Sequence, residues 1–152
     1  MEVSFVPFNE TFLAASWKWL QNEELRLLID AAPVTKEQQL AWFKQLPNRS
    51  DYVIWGVSCE NGPIGVCGLK HITAADAEYW GYIGEKEYRG KGIGTAILCF
   101  AEEQAVNMGL SGIYLHVLKS NEAAIRLYQK HAYQVAGETS KMLFMQKQVR
   151  TS

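Results

Sequence analysis

A glycine-rich stretch past the middle of the chain places the strongest constraint on its fold. The segment EYRGKGIGTAIL, residues 87–98, puts three glycines and two cations directly before an apolar, helix-forming string. A strand that ends in such a turn and enters a helix directs backbone N–H groups outward at the positive end of the helix. Glycine allows positive φ and close approach of a ligand to the backbone. The segment therefore predicts a strand–loop–helix unit that binds a phosphate group.

Three other interpretations of this loop fit its spacing less well. A phosphate-binding loop of the NTPase type needs G-x-x-x-x-G-K-[ST], but Gly90-Lys91 is followed here by Gly92. A dinucleotide fingerprint follows the first strand and precedes an acidic residue by about 20 positions, whereas this loop lies past mid-chain. A plain strand-to-helix turn has little need of three glycines, since each lowers stability by roughly 0.5–1 kcal/mol.

Composition limits the partners of the chain. Its 152 residues are 48% hydrophobic and 20% charged with a net charge of −1, which fits one compact domain over residues 1–152. A near-neutral chain lacks the basic face that nucleic acid or an anionic membrane requires. Neither a cationic leader nor roughly 18 consecutive apolar residues occur. We therefore expect a cytoplasmic protein with no membrane or nucleic-acid partner.

The three cysteines indicate neither a metal site nor a disulfide framework. Cys59, Cys67 and Cys99 are sparse, odd in number and lack the spacing of zinc ligands. Cys59 and Cys67 flank a predicted Asn-Gly hairpin turn, and a disulfide between them is not expected in a reducing compartment. We expect reduced thiols in the core.

Periodicity and capping signals predict the order β-α-α-β-β-β-α-β-α-β-β. Asn9 or Thr11 is expected to cap the first helix, and Thr35 with Gln38 forms a capping-box pattern before the second, whose inner face would be Leu40, Phe43 and Leu46. The last two helices are expected over about residues 92–108 and 121–130. Strands and helices mixed in this order predict an α/β protein with a mixed sheet covered by helices.

The loop and the segment after it carry a family resemblance. RGKGIG, residues 89–94, resembles the R/Q-x-x-G-x-G/A signature of the GNAT N-acetyltransferases. The resemblance continues through YLHVLKSNEAAIRLYQKHAY, where an Asn opens a helix and a Leu-Tyr pair follows, so that it covers about residues 77–133. It implies a mostly antiparallel sheet of about seven strands with about four helices, splayed between strands 4 and 5. It also implies acetyl-CoA as cosubstrate, an amine acceptor and no metal.

The resemblance also implies how acetyl-CoA is held. Its pyrophosphate is expected on the backbone amides of the loop, which belong to Arg89, Gly90, Lys91, Gly92, Ile93, Gly94 and Thr95. The side chains of Arg89 and Lys91 would add cations at the rim, and Asn121 would both cap its helix and contact the cosubstrate. A backbone N–H near Tyr82 or Ile83 is expected to stabilise the thioester carbonyl, with a bulge at Gly81 opening the gap.

Three side chains are candidates for proton transfer. His116 occupies the place where ribosomal-protein alanine acetyltransferases carry a glutamate base, and an imidazole can accept a proton at neutral pH. Glu78, on the strand that enters the loop, is the second candidate base. Tyr128 matches the family tyrosine that protonates the departing thiolate. Each also has a structural interpretation: a hydrogen-bonded strand histidine, a solvated carboxylate and a core tyrosine. Solvent is a further alternative to a protein base.

The acceptor is less determined by the sequence. The N-terminal layout WKWLQNEELRLLI…TKEQQLAWFKQL resembles that of acetyltransferases acting on nucleotide-linked amino sugars and, more loosely, on protein N-termini or polyamines. We expect a small amino sugar, because the acidic cluster is only Glu23-Glu24, too little for a polyamine groove. A non-catalytic acyl-CoA-binding module of the same fold is the alternative from a different class. A homodimer is left open. Where many members end the second helix with Gly-Phe, this chain has Ala132-Tyr133.

Overall fold

The structure, a computed structural model, describes residues 2–149. Within them the chain forms seven strands and five α-helices. The strands are β1 (Ser4–Pro7), β2 (Val53–Cys59), β3 (Gly62–Lys70), β4 (Asp76–Ile83), β5 (Gly112–Leu118), β6 (Gln134–Glu138) and β7 (Met142–Gln148). The helices are α1 (Glu10–Trp19), α2 (Glu23–Ile29), α3 (Lys36–Gln45), α4 (Ile93–Asn107) and α5 (Glu122–Lys130). No helix among the described residues is long and apolar enough to cross a membrane.

One sheet joins the seven strands in the order β1-β2-β3-β4-β5-β7-β6. Neighbours are antiparallel except β4 and β5, which pair in parallel only from Asp76 to Glu78 against Gly112 to Tyr114. Beyond that short stretch β4 continues to Ile83 and β5 to Leu118, but the two strands no longer pair with each other. They therefore diverge. The expected mixed, mostly antiparallel sheet with a splay between its fourth and fifth strands is confirmed.

The predicted helix starts are confirmed, and one helix had not been predicted. Asn9 caps α1 by accepting from the Phe12 amide, and the reciprocal capping box of Thr35 and Gln38 is present on α3. The additional helix is α2, capped by Asn22. Seven residues span about two turns, which is too short for a helical period to emerge from the sequence.

The inner face of α3 differs from the expected one. Leu40 is 44% exposed, whereas the neighbouring Gln39 is only 6% exposed. A rotation of the helix by one position explains the exchange, because adjacent residues point about 100° apart. An amide side chain thus lies where the apolar pattern predicted leucine.

The core lies between the sheet and helices α4 and α5. Ile97 and Ala101 on the buried side of α4 belong to one core cluster with Leu115 of β5 and Met145 of β7. Cysteines are unpaired, as expected, but only Cys67 is fully buried; Cys59 is partly exposed and Cys99 is exposed. The core assignment of Cys99 was therefore wrong, because its position on α4 faces away from the sheet.

Helix α5 ends in a Schellman motif built on an alanine. The Tyr133 amide donates to the Tyr128 carbonyl at 3.0 Å, and the Ala132 amide donates to Gln129 at 3.1 Å. This pairing requires a left-handed residue at the first position after the helix cap, and Ala132 accordingly has a φ of 71°. The turn that the family builds on glycine therefore forms here on alanine.

Candidate active site

A cleft of about 430 Å³ opens where β4 and β5 diverge. Its walls come from the two strands, from α2 and the segment after it, and from the start of α5. We call it the splay cleft. Its lining includes Leu20, Asp30, Lys70, Glu78, Trp80, Gly81, Tyr82, His116, Asn121 and Tyr128.

The glycine loop presents free amides beside this cleft. Gly90 and Gly92 have φ of 73° and 82°, and Gly92 is the residue before α4. The first backbone hydrogen bond of the helix joins the Ala96 amide to the Gly92 carbonyl at 3.3 Å. The N–H groups of residues 93–95 therefore have no acceptor inside the helix and form its positive end. The loop has the geometry that the sequence predicted for an anion site.

The three glycines of the loop serve two purposes. Gly90 and Gly92 are in the left-handed region, and open space surrounds the position of a Cβ on either. Gly94 is not strained; a Cβ there would lie 3.3 Å from Leu127 Cδ2, so it allows α4 to approach α5. Ile93 is buried in the core, which leaves its backbone amide as the group that faces the loop.

Arg89 occupies a different place from the one expected of its side chain. Its Nε donates to the Ile83 carbonyl at 2.9 Å and its Nη2 to the Gly84 carbonyl at 3.4 Å. Its Nη1 is also 3.7 Å from Glu24 on α2. The guanidinium thus holds the end of β4 rather than standing free at the rim. Lys91 is exposed and remains the cation of the rim.

The register of β4 separates the two candidate amide donors. Gly84 donates to Ile64 of β3 at 2.7 Å, and N–H groups alternate between the two neighbours along a strand. The amide of Tyr82 therefore points to β3, whereas the amides of Gly81 and Ile83 point into the gap toward β5. The pairing of β3 and β4 is continuous, so the expected bulge at Gly81 is absent. Divergence of β5 alone opens the gap.

The two candidate bases form one hydrogen-bonded pair. His116 Nδ1 lies 3.1 Å from Glu78 Oε2, and the Glu78 side chain is 13% exposed. The same carboxylate has Lys70 Nζ at 3.9 Å and His71 Nε2 at 3.8 Å. A carboxylate beside Nδ1 fixes the proton there and leaves Nε2 as the basic nitrogen of His116. The chemistry of a positioned base is therefore available in the splay cleft.

Tyr128 supplies a hydroxyl group to the same cleft. Burial raises the pKa of Tyr128 to about 12, so that the group stays protonated. Its ring packs against Tyr79 at 6.4 Å and Tyr133 at 5.8 Å. Among residues 2–149 its hydroxyl makes no hydrogen bond, which leaves the proton available to a ligand. A neutral, uncommitted hydroxyl is suited to donate a proton.

Asn121 joins the start of α5 to α2. Its Oδ1 accepts from the Ala124 amide at 3.2 Å, and its Nδ2 donates to the Leu28 carbonyl at 3.4 Å. Asp30, just after α2, pairs with Lys141 at 2.6 Å. The capping role predicted for Asn121 is confirmed, and the link to α2 was not predicted.

Two contributors to the cleft were missed in the sequence. Helix α2 walls the cleft but is too short to show a period. Lys70 lies opposite Glu78 in the antiparallel register of β3 and β4, a pairing that the hairpin and strand lengths could have suggested. Among residues 2–149 no cluster of three or more His, Cys, Asp or Glu side chains could hold a metal ion.

The chain is similar to several known acetyltransferases. The human alpha/beta-tubulin-N-acetyltransferase 9 is 27% identical over 155 residues, which cover 89% of this chain and 74% of that protein. The structure of spermidine N-acetyltransferase from Vibrio cholerae superimposes with a TM-score of 0.88 at 18% identity, covering 96% of this chain and 95% of that one. N-acetyltransferase PseH from Campylobacter jejuni, in complex with acetyl coenzyme A, gives 0.74 at 18% identity, covering 97% and 99%.

These structural likenesses are below 25% identity and establish the fold. The family follows from the sequence itself, because the profile of the "Acetyltransferase (GNAT) family" matches residues 14–133. The match contains α2, the glycine loop, the Glu78–His116 pair and Tyr128. The free amides of residues 93–95 and the left-handed Gly92 fit the anionic pyrophosphate of acetyl-CoA. The chain therefore belongs to the GNAT family of acetyl-CoA-dependent N-acetyltransferases.

Proposed function

We propose that the protein acetylates the primary amine of a small acceptor with an uncharged body, an amino sugar. The observation that carries this proposal is the 3.1 Å pair of Glu78 and His116, which lines the same cleft as the protonated hydroxyl of Tyr128. A base and an acid on one cleft match the two proton transfers of direct acyl transfer to an amine. Acetyl-CoA supplies the activated acetyl thioester when it is bound.

The backbone around the cleft holds that cosubstrate. The amides of residues 93–95 bind its pyrophosphate, and exposed Lys91 adds a charge at the rim. The unpaired edge of β4 offers the amides of Gly81 and Ile83 to the arm of the cosubstrate and to the thioester carbonyl. Of the two donors expected from the sequence, the strand register favours Ile83 over Tyr82.

The Glu78–His116 pair prepares the acceptor. An alkyl amine with a pKa near 10.4 costs about 4–5 kcal/mol to deprotonate at pH 7, so a base nearby lowers the barrier. His116 Nε2 accepts the amine proton while Glu78 stabilises the imidazolium through Nδ1. Tyr128 then donates its proton to the sulfur that leaves. Glu78 acts here as the partner of His116 rather than as a rival base.

Charge near the cleft favours an acceptor with one amine. Glu78 is surrounded by Lys70, His71 and His116, and Asp30 is paired with Lys141. Both carboxylates among the cleft residues are thus already balanced by cations. A polyamine has several ammonium groups and would need unpaired carboxylates to bind. A sugar needs hydrogen bonds and ring surfaces instead.

A protein N-terminus is the second candidate acceptor. A protein acceptor in general is favoured by the similarity to the human alpha/beta-tubulin-N-acetyltransferase 9, which extends over 89% of this chain. An acyl-CoA-binding module without catalysis would show binding but no turnover.

A thiol-release assay tests these possibilities with acetyl-CoA and three acceptor classes: amino sugars, spermidine and peptides with a free N-terminus. We expect thiol release with an amino sugar at a kcat/KM at least tenfold above that for the other two. Preference for a peptide would transfer the proposal to a protein acceptor. Absence of release with every amine, while acetyl-CoA still raises the melting temperature, would contradict catalysis.

A further inference from the structure

A second cavity adjoins the splay cleft on the side of the N-terminal helices. It has a volume of about 310 Å³ and shares Leu20, Trp80 and Tyr82 with the cleft. Rings of Phe8 and Trp42 complete its walls, and none of its lining side chains is charged. We call it the aromatic cavity. An acceptor whose amine lies beside His116 would extend its distal part into this space.

Gln39 contributes a polar side chain to the lining of this cavity. The side chain is 6% exposed, and its Nε2 donates to Ser16 Oγ at 2.6 Å. Ser16 Oγ in turn donates to the Leu13 carbonyl at 2.9 Å, so it can only accept from Gln39. This chain of bonds fixes the orientation of the amide. Gln39 Oε1 is consequently a buried acceptor, and within residues 2–149 it has no hydrogen-bond partner.

The buried Trp80 Nε1 is not a second such atom of this cavity, because it packs against Gly68 and lies within hydrogen-bonding range of Tyr52, and neither residue lines the cavity. A buried polar group without a partner destabilises the fold, and such groups are rare unless a ligand or water completes them. Gln39 also borders a groove between α1 and α3, but that groove shares no lining residue with the cleft, whereas the aromatic cavity does.

From these observations we infer that the aromatic cavity is the subsite for an uncharged, hydroxyl-bearing ring of the acceptor, read by Gln39. The inference rests on the proposed function and deepens it. Aromatic walls stack on the ring, and a ring hydroxyl donates to Gln39 Oε1. Gln39 is a specificity-determining residue because its Oε1 can accept a hydrogen bond from a ring hydroxyl, which an apolar ring lacks.

Two amines of matched shape test the inference. Cyclohexylmethylamine and aminomethylcyclohexanol both have a ring joined to a CH₂–NH₂ group, and they differ by one ring hydroxyl. For the wild-type protein we expect kcat/KM to favour the hydroxylated amine about tenfold or more. Gln39→Met should reduce that preference to within about twofold. Gln45→Met, at an exposed position of the same helix, is the matched control and should behave as wild type.

Several results would overturn the subsite. The subsite is refuted if the wild-type protein shows no preference between the two ring amines, or if the preference survives in Gln39→Met. It is also refuted if the protein acetylates other amines but neither of these two. Failure of wild type to acetylate any amine would instead refute the proposed function. Should Gln39→Met not fold, fluorescence titration of the wild type in the presence of coenzyme A replaces it. The titration follows the fluorescence of Trp42 and Trp80, which line the cavity. The hydroxylated amine must bind about tenfold more tightly than the apolar amine, or the subsite is refuted.

Discussion

Glu78 Oε2 lies 3.1 Å from His116 Nδ1, across the short parallel pairing that joins β4 to β5. The two side chains are 38 positions apart in the chain, and each alone is a plausible base. Their contact fixes the orientation of the imidazole and places a carboxylate beside its Nδ1. The pair stands at the point where the strands begin to diverge, which opens His116 to the splay cleft.

The pair predicts non-additive losses of activity. His116→Ala should lower kcat/KM by about 10²–10⁴-fold, the usual contribution of a general base. Glu78→Gln should lower it less, and the double variant should be no slower than His116→Ala, because Glu78 acts through His116. Steady-state kinetics with the true acceptor checks this. His71→Asn removes a second contact of Glu78, and its kcat/KM should stay within about twofold of wild type. Equal losses in His116→Ala and Glu78→Gln that add in the double variant would make Glu78 an independent base.

Tyr128→Phe should lower kcat by about 10²–10⁴-fold and leave the affinity for acetyl-CoA nearly unchanged. The reason is that only the proton donated to the leaving thiolate is lost. Because the pKa of Tyr128 is about 12, kcat should show no decline from its ionisation up to about pH 11. Tyr133→Phe is the control, since its hydroxyl donates to Glu102 Oε2 at 2.9 Å and supports stability alone. Wild-type rates in Tyr128→Phe would assign that residue to packing.

Acetyl-CoA should raise the melting temperature through the amides of the glycine loop. A ligand present at 100 times its Kd stabilises the folded state by about 2.7 kcal/mol. Gly92→Val or Gly94→Val should abolish the shift, because a side chain at either position disturbs the start of α4. Thermal denaturation with and without the ligand measures it. Gly137→Val, where a Cβ would meet open space, should keep the full shift; an unchanged shift in both loop variants would disprove the pyrophosphate site.

Ala132→Gly should stabilise the protein by about 0.5–1 kcal/mol. A left-handed alanine costs about 1–2 kcal/mol, and the greater freedom of glycine in the unfolded chain returns part of the gain. The melting temperature should rise by about 2–4 °C per kcal/mol in a chain of this size. Ala136→Gly, in a strand with ordinary φ, should instead lower it. A loss of stability in Ala132→Gly would show that the Schellman turn is not strained.

Stability should fall in alkaline solution. Burial raises the pKa of Cys67 from 9.0 to about 12 and that of Tyr52 from 10.0 to about 12. Above pH 9 the unfolded chain releases protons that the folded chain retains, so the free energy of unfolding decreases as pH rises. Each group contributes up to about 1.4 kcal/mol per pH unit between its two pKa values.

Urea denaturation between pH 7.5 and 10.5 checks this dependence. Because Cys67 has the lowest unfolded pKa of the group, Cys67→Ala should flatten the slope between pH 9 and 10. Cys99→Ala, at an exposed thiol, should leave the slope unchanged. An equal slope in Cys67→Ala would show that this thiol ionises alike in both states.

Local patterns were sufficient for much of the fold. The caps at Asn9, Thr35 and Asn121 and the strand–loop–helix unit around Gly92 depend on neighbours within a few positions, so that the sequence contains the whole interaction. The splay was expected from the family resemblance and not from a local pattern. Helix α2 escaped prediction because seven residues are too few to show a helical period. Gln39 replaced Leu40 on the inner face of α3 because that face depends on how the helix is rotated against the sheet.

The sequence by itself determined the chemistry that the chain offers: the free amides of the glycine loop, an imidazole and a carboxylate on two strands, and a tyrosine after the Asn121 cap. Only the tertiary structure decided how those groups work together. Strand register joined His116 to Glu78, turned the amide of Ile83 rather than that of Tyr82 into the gap, and bound the Arg89 guanidinium to the end of β4. Such contacts link residues distant in the chain, and their distances follow from packing of the whole sheet, which no local pattern encodes.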